Sequence, residues 1–186
     1  MTAQVSETVV IDGQRYELCG VRGEGLFDAA QQGLETAAPD TSCWRGCICG
    51  YAVDGDRLLL DAFQLWSEPS RWPQNRARLE AIFGERLELD DEHTGVDVEG
   101  LALLMPFTGG LLVGTDFIHE AYDHMGFQPA LGYRTVLELT FENGRLLAKA
   151  DLSAEMASVR ERIDHNGRNG KPDLVRWVDD SFRLGF

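Results

Sequence analysis

The apolar residues of this chain fall in short alternating runs interrupted by tight turn pairs, and a period of two predicts β-hairpins. Three stretches share one pattern, in which an apolar segment, a turn pair and an arginine precede a second apolar segment. They are Val9-Val10-Ile11-Asp12-Gly13-Gln14-Arg15-Tyr16, Tyr51-Ala52-Val53-Asp54-Gly55-Asp56-Arg57-Leu58 and Leu139-Thr140-Phe141-Glu142-Asn143-Gly144-Arg145-Leu146. Asp-Gly and Asn-Gly supply the positive φ angles that two-residue hairpin turns require. The second and third stretches align without a gap over Ile48 to Phe63 and Val136 to Asp151. Internal duplication explains that match, and so does the small repertoire of good hairpin sequences. A fourth strand pair is expected within Gly100 to Gly114, where Leu101 to Phe107 and Leu111 to Gly114 flank a turn at Thr108-Gly109-Gly110. Pro106 lacks an N–H, so it places the first of these strands at a sheet edge or at its own end.

Between the hairpins the spacing turns helical. Phe27 to Leu34 is long enough for one or two turns. Gln74 to Phe83 carries Leu79, Ile82 and Phe83 on one side, with Pro73 before it and Gly84 after it, as start and stop preferences require. Asp116 to Met125 aligns Phe117, Ala121, Tyr122 and Met125, with Asp116 as N-cap and Gly126 as stop. Ser153 to Ile163 begins at a serine cap and repeats Met156, Val159 and Ile163. A last amphipathic helix is expected at Asp173 to Phe182, after a polar link from Asp164 to Lys171. The whole reads as a single α+β domain over residues 1–186, predominantly antiparallel β-sheet built from hairpins. Its core covers about residues 8–152, and a helical C-terminal extension covers residues 153–186.

Composition narrows the function classes. The 186 residues are 44% apolar and 9% aromatic, enough to build a core without covalent staples. With 17 Lys and Arg against 31 Asp and Glu, the net charge is −14. That balance excludes nucleic acid and anionic membrane surfaces as partners, since both are bound by neutralising phosphates. The apolar runs fall short of the roughly 18 residues a membrane helix needs. The first residues lack the basic start and apolar core of an export signal, so a cytoplasmic location is expected. Seven acids, Glu85, Glu88, Asp90, Asp91, Glu92, Asp97 and Glu99, crowd residues 85–99 against Arg86 alone. They form either a solvated segment or a surface for a basic protein partner.

Candidate chemistry is sparse. Cys43, Cys47 and Cys49 lack the second ligand pair of a structural zinc site. On a strand, Cys47 and Cys49 share a face with Tyr51 and Val53, which predicts buried thiols, with metal or redox roles as the alternative. On a helix, His119 would neighbour Asp123, and Glu120 would neighbour His124, at i, i+4. Either pair would serve acid–base catalysis or remain a surface pair. Trp44-Arg45 heads one hairpin and Tyr133-Arg134 another. Each arginine is a candidate grip for a carboxylate or phosphate, or a surface ion-pair partner. Tyr122, on the stripe beside His124, joins Trp44, Arg45 and Arg134 as a candidate binding residue. Phosphate-loop, dinucleotide and nucleophile-elbow motifs are missing from the sequence, and no metal or cofactor is expected.

Thr41-Ser42-Cys43-Trp44-Arg45-Gly46, Phe107-Thr108-Gly109-Gly110-Leu111 and Tyr122-Asp123-His124-Met125-Gly126-Phe127 resemble segments of a family of small bacterial cytosolic proteins without an assigned function. The resemblance spans about residues 8–152 and implies a sheet-rich domain, drawing attention to Trp44, Arg45, His124 and Gly126. Cys47 stands where that family's pattern has an aromatic, and residues 64–99 and the tail after Ser153 are additions to it. The expected function is a small acidic binding or accessory module, such as an immunity-type protein that neutralises a basic partner. The alternative is a small hydrolase or isomerase acting on an anionic molecule, with His124, Asp123 and Glu120 catalytic and an arginine holding the substrate.

Overall fold

The computed structural model describes residues 2–87, 94–122 and 124–165. Alternation and turn chemistry give three hairpins where the sequence pattern puts them. The first joins β1 (Thr8–Ile11) to β2 (Gln14–Glu24), and the second joins β3 (Cys47–Asp54) to β4 (Arg57–Trp66). Helix α1 (Trp72–Phe83) and strands β5 (Gly95–Leu104) and β6 (Thr108–Phe117) follow. The third hairpin, β7 (Tyr133–Glu142) and β8 (Arg145–Asp151), leads into helix α2 (Ser153–His165). Asp12-Gly13 and Asn143-Gly144 turn with both residues at positive φ, whereas the middle hairpin turns on Gly55-Asp56 with only Gly55 positive. The two stretches that align without a gap therefore turn at matching positions. In the first stretch the turn lies one residue earlier, so Arg15 is second after it while Arg57 and Arg145 are first.

The eight strands form one sheet in the order β3-β1-β2-β6-β7-β8-β4-β5. Because β3 also pairs with β4, the sheet closes on itself, with β5 laid along the flank of β4. Every pairing is antiparallel except β1 with β3. Closure gives the apolar face an interior to fill. Leu111 and Val113 of β6, Leu139 and Phe141 of β7, and Tyr51, Leu58 and Phe63 of the second hairpin lie in one buried cluster. α1 adds Leu79 and Phe83, and Phe63 and Phe83 pack with Phe27 at ring distances of 5.0 to 5.8 Å. Each such side chain contributes about 1.5–3 kcal/mol of hydrophobic stabilisation. On the outer face of the same strands, Leu112, Tyr133 and Val136 pack with Leu152 and with Met156 of α2. The alternation along β6 thus feeds two cores.

Several expectations need correction. Thr108-Gly109-Gly110 is no turn, and β5 and β6 do not pair with each other. The glycines allow β6 to lie close against β2: a Cβ at Gly109 would meet the Arg22 carbonyl oxygen at 2.0 Å, and one at Gly23 the Thr108 oxygen at 2.2 Å. Only glycine tolerates that approach. The helix expected over Asp116–Met125 does not form. β6 runs on through Asp116, at φ 59°, to Phe117, which pairs with Tyr133, and only a 3₁₀ turn at His119–Ala121 follows. Strand pairing outweighs the helical stripe there. Phe27 to Leu34 is a set of hydrogen-bonded turns. Ser153 does not cap α2: its hydroxyl donates to Asp151 and accepts the Val136 N–H at 3.1 Å, tying the helix start to β7. The helix expected at Asp173–Phe182, and Glu88, Asp90, Asp91 and Glu92 of the acidic segment, lie outside the described residues, whereas Asp97 and Glu99 are exposed on β5. No helix among the described residues is long and apolar enough to cross a membrane.

Candidate functional site

At one end of the closed sheet, the starts of β1, β3 and β6 and the end of β2 come together, and the irregular segment 25–46 covers them. Polar contacts set this segment's path. Asp28 Oδ1 accepts the N–H groups of Ala30 and Gln31 at 2.9 and 3.1 Å. Asn75, fully buried on α1, accepts the Glu35 N–H at 2.9 Å and donates to the Glu35 carbonyl and to Ser67 Oγ, both at 2.7 Å. The Ala37 N–H donates to the Trp66 carbonyl at 2.8 Å. These bonds satisfy backbone groups of a largely exposed segment, in which Ala29, Leu34 and Cys43 are the buried anchors.

Between this segment and the strand ends lies a cleft of about 830 Å³. Phe27 and Phe107 are among its apolar walls, and Glu7, Glu24, Asp28 and Arg45 supply its charges. Arg45 Nη1 donates to Glu7 Oε1 at 2.8 Å, and Nη2 donates to the Val5 carbonyl at 3.2 Å. Its guanidinium also lies 4.9 Å from the centre of the Phe127 ring. The Glu7 side chain is only 13% exposed, and burial raises its carboxyl above the ordinary value while Arg45 opposes that rise. A second pocket, of about 190 Å³, lies between Glu7, Arg45, Val21, Cys19 and Phe127. Glu7 and Arg45 line both.

The thiols of Cys19, Cys47 and Cys49 are unsuited to nucleophilic work. Burial pushes Cys47 up to about 11 and raises Cys49 and Cys19 still further, and the thiolate is the reactive form. All four cysteines are free, and Cys49, Tyr51 and Cys47 belong to the inner cluster as their alternation requires. Among the described residues, no three His, Cys, Asp or Glu side chains are placed to hold a metal ion. Tyr51 ends differently from its neighbours, because its hydroxyl is buried with no hydrogen-bond partner.

Outside the pockets, apolar side chains face solvent on a polar frame. Ala3 bridges Gly126, the Gln4 N–H donates to the Gly126 carbonyl at 2.8 Å, and the Val5 N–H donates to the Ser42 carbonyl at 2.9 Å. The buried Gln4 side chain accepts the Trp44 N–H at 3.0 Å. Three distant segments, 3–5, 42–45 and 125–127, are thereby joined, and Val5, Trp44, Met125 and Phe127 expose 43–51% of their surface.

The sequence candidates are therefore partly assembled. Trp44 and Arg45 lie on this face, in the turn before β3. Arg45 packs on the Phe127 ring and pairs with the Glu7 carboxylate. Tyr122 is exposed in the loop that leads to Met125, with its ring 5.0 Å from that of His124 and 6.3 Å from that of Phe117. Arg134 is exposed on β7 and lines neither pocket; its charge is felt instead by Arg160 of α2. His119, Glu120 and His124 line neither pocket, and Asp123 lies outside the described residues. Their i, i+4 pairing required a helix that is not there. Glu7, Val5 and Phe127 escaped sequence reasoning. Glu7 lies 38 residues from Arg45 with no local pattern to mark it, while Phe127 ends a segment that the family resemblance had picked out. A scan of protein-family models and searches of curated proteins and of solved structures find nothing that matches this chain.

Proposed function

We propose that this protein is a binding module that engages a basic protein partner through the face carrying Val5, Trp44, Met125 and Phe127. One observation carries the reading: four large apolar side chains stay exposed on three segments that backbone bonds and a part-buried Gln4–Trp44 hydrogen bond hold together. Contiguous exposed apolar surface marks interaction sites in soluble proteins. Tryptophan and arginine are enriched among the residues that dominate binding energy, and Trp44 and Arg45 supply one of each. The net charge of −14 favours a basic partner and speeds encounter with it.

The test replaces Trp44 with a photo-crosslinking residue in the native host, with the exposed Ala148 of β8 as control position. The expected result is one basic protein crosslinked at position 44 and not at 148. Its affinity for the purified chain should fall at least about tenfold with Phe127→Ser, the loss of roughly 1.4 kcal/mol, and should also fall with added salt. Equal labelling at both positions, or affinity indifferent to Phe127→Ser, overturns the reading.

A further inference from the structure

The cleft is too large and too charged to be a packing defect. Its volume of about 830 Å³ lies within the range of roughly 300–1,000 Å³ typical of ligand pockets. Native interiors are otherwise close-packed. Three carboxylates, Glu7, Glu24 and Asp28, line it against the single guanidinium of Arg45, which Glu7 already engages. Leu26, Phe27, Leu34 and Phe107 complete walls that suit an aliphatic stem. A cationic head on an apolar stem is the chemistry of an arginine or lysine side chain.

One further observation points to an occupant. Glu7, Arg45 and Val21 line both the cleft and the pocket beneath Phe127. The pocket beneath Phe127 and the cleft therefore meet at the Glu7–Arg45 pair, so a chain lying on the exposed apolar face reaches the cleft's charged wall. An acidic segment would meet three carboxylates, and a neutral one would leave them uncompensated.

We propose that the cleft receives a short basic segment of the partner, its arginine or lysine head placed among Glu7, Glu24 and Asp28. This rests on the binding-module reading and specifies the chemistry of the partner at its deepest point. The segment's apolar neighbours cover Leu26 and Phe27, and Arg45 turns outward along Phe127 as Glu7 takes the new cation.

The test titrates the intact chain with three acetylated tripeptide amides, Leu-Arg-Leu, Leu-Gln-Leu and Leu-Glu-Leu, while backbone amide resonances are followed by NMR. The arginine peptide should move the amides of residues 25–31 and of Cys47 in a saturable way. The glutamine peptide should bind roughly tenfold or more weakly, the effect of losing a charge-assisted hydrogen bond, and the glutamate peptide should leave these amides unmoved. The double variant Glu24→Gln, Asp28→Asn keeps the acceptor that Asp28 presents to Ala30 and Gln31, so it should fold normally while losing the preference for arginine. Equal affinity for the arginine and glutamine peptides, no response to any of the three, or a preference that survives the double variant overturns the proposal. A cleft that ignores the arginine peptide while position 44 still crosslinks to a basic protein removes the anchor and leaves the binding face standing.

Discussion

The β6–β7 wall and the end of the sheet covered by segment 25–46 handle apolar residues in opposite ways. In the wall, Leu111 and Val113 face one core while Leu112 faces another, so alternation buries both sides. At the end, side chains as large as Trp44 and Phe127 remain half-exposed, and the structure around them is held by Gln4, Asn75 and Asp28. Packing determines the wall, whereas hydrogen bonds to backbone groups determine the end. Stability and the proposed binding thus draw on separate residues, and substitutions should change one without the other.

The sharpest break of that comparison is a pair of phenylalanine truncations. Phe141→Ala, fully buried beside Phe107 at 5.9 Å, should cost about 3–5 kcal/mol in urea unfolding. Phe127→Ala should cost less than about 1 kcal/mol, mainly its contact with the Arg45 guanidinium. Comparable losses would mean that the exposed face is a structural element. Asn75→Ala comes next, expected at about 1–3 kcal/mol because it strips the Glu35 backbone of both its bonds. Hydrogen exchange at the Glu35 amide should quicken while the amides of β6 keep their protection; uniform quickening would tie the end to the wall.

The smallest effect concerns Glu7. Burial holds its folded-state carboxyl above the ordinary 4.5, so the folded chain retains this proton more tightly than the unfolded chain. The associated stability is fully present below the ordinary value and is lost as pH rises through the raised one. Glu7→Gln should therefore show a flatter stability profile than the parent over that acid window, as read from urea midpoints at successive pH values. Parallel profiles would show that Arg45 fully offsets the burial.

What could be read from sequence divides along the same line. The hairpin turns and α1 were legible because Asp12-Gly13, Asn143-Gly144 and the Pro73 to Gly84 pattern act locally. Gly109-Gly110 carried a local turn signal but serves a long-range purpose, the close approach of β2, which no short window reveals. Asp116 likewise has the chemistry of a cap and the position of a strand residue, because Tyr133 pairs with Phe117 beside it. At the candidate site, Trp44 and Arg45 stood out as an unusual neighbouring pair. Their structural partners did not, since Gln4, Glu7 and Phe127 reach them across 38 or more residues, and the parallel β1–β3 pairing and the bonds to Ser42, Trp44 and Gly126 that draw the N-terminal segment in are all long-range.

That the sheet closes where β4 meets β8 has a mechanical consequence. Those two strands share one residue pair, Arg57 with Arg145, and the contacts beside it all belong to the two turns: Leu58 to Gly144 at 2.9 Å, Leu146 to Asp56 at 2.7 Å, and the largely exposed Arg145–Asp56 ion pair at 2.7 Å. The barrel is a bracelet fastened by a clasp, and exposed ion pairs make a weak clasp. Unfastening it breaks two backbone hydrogen bonds and one exposed ion pair and leaves the β2–β6–β7 ladders paired. Local opening then begins at the two hairpin tips, which the segment before β6 also holds, through Gly144 to Phe107 at 2.7 Å and Met105 to Leu58 at 3.0 Å, beside a wall of the cleft.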